Sequence, residues 1–305
     1  MKLPAAVTIV EVGPRDGLQN ERAPITTADK IALVDRLTEA GHRVIEVSSF
    51  VSPKWVPQMA DATAVFAGIT RRDGIRYTAL VPNRRGLERA IAAGVSEVAI
   101  FAAASETFSR RNINQSIDES LVTYAEVCRD AAAAGVRVRG YLSTCFACPY
   151  EGPVAPSRVA DVAGQLLDLG VFEVAISDTI GAAHPGQVPV VLDAATKRVP
   201  LHQVALHFHD TRGTALANVL AALDYGVTTF DSSCGGLGGC PFAPGAAGNL
   251  ATEDLLYMLN GLGVETGVSL DLVTAASRAI EQKLDHKLPS RVLQAPRVPA
   301  NFHSS

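Results

Sequence analysis

Runs rich in β-branched residues alternate with amphipathic helical patterns along nearly all of this 305-residue chain, and that alternation sharply narrows the folds open to it. Strands are predicted at Val7–Val12, Arg43–Val47, Ile75–Leu80, Glu97–Phe101, Arg137–Leu142, Phe172–Ser177, Val204–Phe208 and Thr228–Asp231. Helices are predicted at Thr27–Ala40, Val56–Gly68, Arg84–Ala93, Ile117–Ala134, Pro156–Leu169, Pro185–Arg198, Gly213–Tyr225 and Ala251–Leu259. Gly41, Gly94, Gly135, Gly170 and Gly226 each follow a helical pattern and precede a strand, where a helix C-cap needs a left-handed residue. Eight βα units in one unbroken series predict an α/β fold, a closed (β/α)8 TIM barrel, over residues 1–286. A C-terminal helical extension is expected within about 264–286. The tail, 287–305, holds three prolines and no apolar period, and is expected to be an arm or disordered.

Composition excludes several classes of function. A hydrophobic fraction of 48% with 19% charged residues supplies a large core. The formal charge of −4 argues against a nucleic-acid partner held by phosphate neutralisation. No apolar run approaches the roughly 20 residues of a membrane span. The N-terminal MKLPAAVTIVEV runs directly into a predicted strand, so a cytoplasmic chain is expected. Five cysteines, an odd number in a chain of this size, are expected to be thiols.

In such a barrel, chemistry belongs at the C-terminal ends of the strands, and polar residues collect there. Arg15 and Asp16 follow strand one. Glu46 interrupts the apolar run of strand two, where burial without a partner would be costly; Arg15 is the candidate partner. Asp178 ends strand six, as a functional carboxylate or as a cap of the next helix. Strand seven ends His207-Phe208-His209, and residues two apart on a strand point the same way, so both imidazoles can converge on one cation. With Asp16 and further oxygen ligands the set suits Mg²⁺, Mn²⁺, Zn²⁺ or Co²⁺. After strand eight, the run from Cys234 to Asn249 holds six glycines and reads as a lid. Cys240 in it is either a proton donor or a small loop residue, and Asn249 at its end can offer an amide oxygen.

Residues 5–286 resemble the hydroxymethylglutaryl-CoA lyases, within the metal-dependent aldolase-like barrels that share an Asp-Arg-Glu set. The resemblance is carried by Glu11-Val-Gly-Pro-Arg-Asp-Gly-Leu-Gln-Asn20, Ile45-Glu-Val-Ser-Ser-Phe-Val-Ser-Pro-Lys-Trp-Val-Pro-Gln-Met59, Asn112-Ile-Asn114, Cys148-Pro-Tyr-Glu-Gly152, Asp178-Thr-Ile-Gly181, His207-Phe-His209, Gly236-Leu-Gly-Gly-Cys-Pro241 and Gly248-Asn-Leu-Ala-Thr-Glu-Asp254. It implies cleavage of (S)-3-hydroxy-3-methylglutaryl-CoA to acetyl-CoA and acetoacetate, as in leucine breakdown, by a homodimer. It also implies that Asp16, His207, His209 and Asn249 bind Mg²⁺ or Mn²⁺, that Arg15 neutralises an enolate oxygen, and that Cys240 is an acid/base. Glu46 and Asp178 would complete the polar set, moving a proton or orienting Arg15. Arg110, Arg111 and Asn112 are candidate CoA contacts or a solvated charge run. The chain departs from the family at Ala147, at Ala175-Ile-Ser177 and at Arg212. These departures leave open a longer branched 3-hydroxyacyl-CoA as substrate; a Claisen-condensing transferase or aldolase of the same barrel group is a further alternative.

Overall fold

A computed structural model describes residues 2–238 and 248–295. Eight parallel strands form a closed barrel: β1 (Thr8–Glu11), β2 (Val44–Ser49), β3 (Arg76–Leu80), β4 (Glu97–Ala103), β5 (Arg137–Ser143), β6 (Val174–Asp178), β7 (Val204–Phe208) and β8 (Thr229–Ser232). Closure is made by β1, which pairs with both β2 and β8. The surrounding helices are α1 (Thr27–Glu39), α2 (Ala62–Gly68), α3 (Arg84–Ala92), α4 (Glu106–Ile113), α5 (Ile117–Ala133), α6 (Pro156–Asp168), α7 (Val188–Ala195), α8 (Ala215–Tyr225), α9 (Thr252–Gly261), α10 (Leu270–Glu281) and α11 (Arg291–Gln294). The predicted barrel is therefore the observed one. Among the described residues no helix is long and apolar enough to cross a membrane.

Local chemistry explains the boundaries. Thr26, Asn83, Ser105 and Ser116 each accept a backbone N–H at a helix start, satisfying a donor the helix leaves free. The five glycines after helical patterns all take φ between +70° and +107°. Two predicted helices are shorter than expected because proline fits only the first helical turn. Pro57 initiates a 3₁₀ turn ahead of α2, and Pro189 stands in the first turn of α7. Helix α4 is an addition, capped by Ser105 and closed by Asn114 at φ 56°. The expected arm is corrected as far as residue 295. The Ser290 hydroxyl and the Arg291 and Val292 amides donate to Asp254, and Leu293 is buried.

Outward strand residues pack on the helices in one continuous apolar layer that includes Phe50, Leu33, Leu37, Ile100 and Phe208. Inside the barrel the side chains at the level of Leu80 and Tyr141 include Ala99, Ala175 and Ala205. These small residues leave room for the long inward side chains of Tyr141 and Arg139 on β5.

Behind the barrel mouth lies a second buried polar group. Glu11 accepts from the amides of Gly13 and Cys234 at 2.8 Å each and from Thr252 Oγ1 at 2.7 Å. Burial outweighs these bonds and raises its carboxyl to about 8, while burial pushes His42, 3.6 Å away, down to about 3. Because its folded value lies above the unfolded one, the stabilisation from Glu11 is complete below about pH 4.5 and is lost as pH rises through about 8. A Glu11→Gln variant is therefore expected to lose less stability than the parent between pH 5 and pH 8, by up to about 1.4 kcal/mol for each pH unit. Urea midpoints at the two pH values measure this; equal losses in both proteins would contradict it.

Candidate active site

The polypeptide leaves β1 in a single wide helical turn, Gly13–Gly17. A Cβ at Gly13 would lie 2.7 Å from Glu11 Oε1, and one at Gly17 would lie 2.6 Å from Leu237 Cβ, so the turn packs this closely only with glycine. It carries Arg15 and Asp16 to the mouth of the barrel. Arg15 Nε donates to Glu46 Oε2 at 2.5 Å and Nη1 to Asp16 Oδ1 at 2.5 Å, so one guanidinium joins the carboxylate of the turn after β1 to that of β2. Its carbon lies 5.4 Å from the centre of the Tyr141 ring, whose hydroxyl donates to Glu46 at 3.3 Å.

His207, the last residue but one of β7, points inward, and His209 follows one residue beyond the strand. Asn249 is held beside them because the chain returns antiparallel to this strand end: Asp210 N donates to Gly248 O at 2.7 Å and Leu250 N to Phe208 O at 3.0 Å. Asp16, His207 and His209 each place a ligand atom within 4.8 Å of the others. Asn249 Nδ2 donates to Asp16 Oδ2 at 2.9 Å and to Leu237 O at 3.1 Å. Its buried Oδ1, like the buried Nδ1 of His209, has no hydrogen-bond partner among the described residues.

Electrostatics make this cluster a candidate cation site. Burial pushes the Asp16 carboxyl up, but Arg15, the two histidines and the Asn249 amide more than reverse it, leaving a value of about 2. Burial, reinforced by His207, lowers His209 to about 3, so it is a neutral lone-pair donor at neutral pH. His207 Nδ1 lies 3.2 Å from Asp231 Oδ2. A carboxylate only accepts, so the ring proton is assigned to Nδ1 and the lone pair to Nε2, which faces Asp16 Oδ2 at 4.0 Å. Opposed acceptors and an orphaned amide oxygen are the environment that a divalent cation neutralises, and nitrogen and oxygen donors suit a hard or borderline ion.

Six of the eight predicted site residues are thus brought together: Arg15, Asp16, Glu46, His207, His209 and Asn249. Burial raises the Glu46 carboxyl, with Arg15 opposing. Asp178 is placed differently. Its two oxygens accept the amides of Ala182 and Ala183 at 2.9 Å each, holding the loop after β6, and Arg212 ties the same loop through the carbonyls of Ile180 and Gly181. Cys240 lies outside the described residues. Cys128, Cys145, Cys148 and Cys234 are buried free thiols.

A cavity of about 840 Å³ opens onto this cluster, lined by Arg15, Asp16, His207 and His209 at its inner end. Phe101, Phe108, Ile113 and Tyr141 form apolar walls, and Arg111, Asn112 and Trp55 also border it. Arg110 instead pairs with Glu106 at 3.2 Å on the exposed side of α4. Ser177 lines the cavity and shares a register position with His207. Sequence reasoning missed Gln19, whose amide donates to Asp16 Oδ1 at 2.9 Å, and Tyr141, Arg139 and Asp231. Asp231 and Arg139 carry the signal that exposed Glu46, a charge inside an apolar strand.

The mouth of the (β/α)8 barrel thus carries an Asp-His-His cluster that could hold a cation beside a buried Arg-Glu pair. The chain belongs to the HMGL-like family, whose family model matches residues 6–280. It is 54% identical to the mitochondrial hydroxymethylglutaryl-CoA lyase of Mus musculus, over 96% of this chain and 90% of that protein. Among solved structures, the hydroxymethylglutaryl-CoA lyase of Pseudomonas aeruginosa superposes with a TM-score of 0.95 at 53% identity, covering 96% of this chain and 98% of that one. An HMG-CoA lyase of Acinetobacter baumannii, solved with coenzyme A and 3-methylmalate, gives a TM-score of 0.92 at 38% identity, covering 97% of each chain. Relatives are named as mitochondrial and as cytoplasmic, so kinship does not assign a compartment.

Proposed function

We propose that this chain cleaves (S)-3-hydroxy-3-methylglutaryl-CoA to acetyl-CoA and acetoacetate, with Asp16, His207, His209 and Asn249 holding Mg²⁺ or Mn²⁺. The observation that carries this is the Asp16-His207-His209 cluster beside the Arg15–Glu46 pair, at the inner end of a cavity far larger than a six-carbon acyl group. A bound divalent cation would supply Lewis acidity, making the substrate's 3-hydroxyl more acidic.

The residues divide the remaining work. The 3-hydroxyl loses its proton to Glu46, since both oxygens of Asp178 accept amides of its own loop. The C2–C3 bond breaks as the C3–O bond becomes the ketone of acetoacetate, and its electron pair passes to the thioester as an enolate. Arg15 faces that oxygen with a guanidinium already fixed by Glu46 and Asp16, so little reorganisation accompanies charge development. Cys240 then supplies the proton to the enolate carbon. The apolar walls from Phe101 to Tyr141 exclude water during this step, and Arg111 and Asn112, which border the cavity, would meet the CoA portion. Residues 1–286 form the catalytic unit in this reading, and a homodimer is the expected assembly.

Acetoacetate release from 3-hydroxy-3-methylglutaryl-CoA by EDTA-stripped protein tests the reading. Turnover should be absent without metal and return with Mg²⁺ or Mn²⁺. A folded protein inactive with both ions would remove this substrate.

A further inference from the structure

Beneath the cation cluster, a chain of buried charges runs through the barrel interior. Asp231 on β8 is the register partner of His207 on β7, so their inward side chains are neighbours. His207 Nδ1 and Asp231 Oδ2 are 3.2 Å apart. The same carboxylate accepts from Arg139 Nη1 at 3.1 Å and Nη2 at 2.8 Å. Arg139, on β5, donates through Nε to Glu173 at 2.7 Å. Asp231 is 2% exposed and Arg139 4%. Nothing in the reaction proposed above uses either residue.

We infer that Asp231 is a positioning residue for the metal ligand His207, held in place by the bidentate grip of Arg139. The inference rests on the cation reading of the cluster. Two ring orientations and two tautomers are open to an isolated imidazole, and only one combination directs the Nε2 lone pair at Asp16. An ionised carboxylate at Nδ1 selects that combination and makes the ring a stronger donor. Arg139 in turn presents its planar fork to both carboxylate oxygens, so Asp231 cannot rotate away without breaking two charge-assisted bonds. The small inward residues Ala175 and Ala205 leave space for this arrangement. A simpler role, a staple that only joins β5 to β8, would give the same contacts but would leave the His207 tautomer and the cation affinity independent of Asp231.

The experiment measures Mn²⁺ binding by electron paramagnetic resonance, without substrate, in the parent, Asp231→Asn and Asp16→Asn proteins, with thermal unfolding as a check on folding. Asp231→Asn should weaken Mn²⁺ by about 10–100-fold while remaining folded, and Asp16→Asn should weaken it at least as much. Loss of binding in Asp16→Asn with affinity unchanged in a folded Asp231→Asn would overturn the inference and leave the cation reading standing. A parent protein that binds no Mn²⁺ would instead remove the cation reading and this inference with it. Should Asp231→Asn not fold, ¹⁵N spectra of the histidine-labelled, metal-free parent decide the matter. A single Nδ1–H tautomer at His207 is expected, and an Nε2–H tautomer would overturn the inference.

Discussion

Replacing Arg15 with leucine is expected to lower kcat by about 10²–10³-fold, the effect of removing a preorganised donor from an oxyanion. The substitution also strips Glu46 of its 2.5 Å partner while it stays buried, and breaking a buried pair in this way typically costs about 3–5 kcal/mol. The two consequences are separable. Glutamine at position 46 leaves no carboxylate buried without its partner, so the double variant Arg15→Leu with Glu46→Gln should regain most of the lost thermal stability. It should regain none of the turnover. Recovery of kcat in the double variant would show that Arg15 serves only to neutralise Glu46.

His209→Ala is expected to weaken Mn²⁺ by on the order of 10²-fold or more while leaving the metal-free protein close to its original stability. The first effect follows from deleting a ligand that is neutral at working pH, its value lowered to about 3 by burial. The second follows because Nδ1 is buried with no partner among the described residues, and an unsatisfied buried polar atom costs about 1–3 kcal/mol. Removing it offsets the packing lost with the ring. The folded value of His209 also lies below that of an unfolded histidine. Its contribution is therefore present above about pH 6.5 and lost as the pH falls toward 3; this acid-limb loss should shrink in the variant. Isothermal titration with Mn²⁺ and urea midpoints at pH 4 and pH 7 measure both effects. Unchanged affinity would remove His209 from the ligand set.

The barrel was legible because its signals are local. A period of two and a period of 3.6 recur eight times, with a glycine between helix and strand at five of the junctions, and each is set by backbone geometry within a few residues. The same holds for His207-Phe208-His209, where strand alternation alone places both rings on one side. Legibility failed where proline shortened α2 and α7 and at α4. Helix α4 has good caps but lacks the place in the βα repeat that made the others stand out. In the tail, the contact of Ser290, Arg291 and Val292 with Asp254 joins residues some 36 positions apart in sequence, and no local pattern records it.

The amino-acid sequence by itself determined the kind of fold, the identity of the polar residues at the strand ends and, through ordered motifs, the family. The tertiary structure decided which of those residues meet. Closure of β1 against both β2 and β8 brings Asp16 to His207 and Arg15 to Glu46, contacts that depend on the register of separate strands. It also gave Asp178 to the amides of its own loop and placed Asp231 under His207. The physical reason is that side-chain direction along one strand follows from local stereochemistry, whereas the distance between side chains on different strands follows from how the sheet closes.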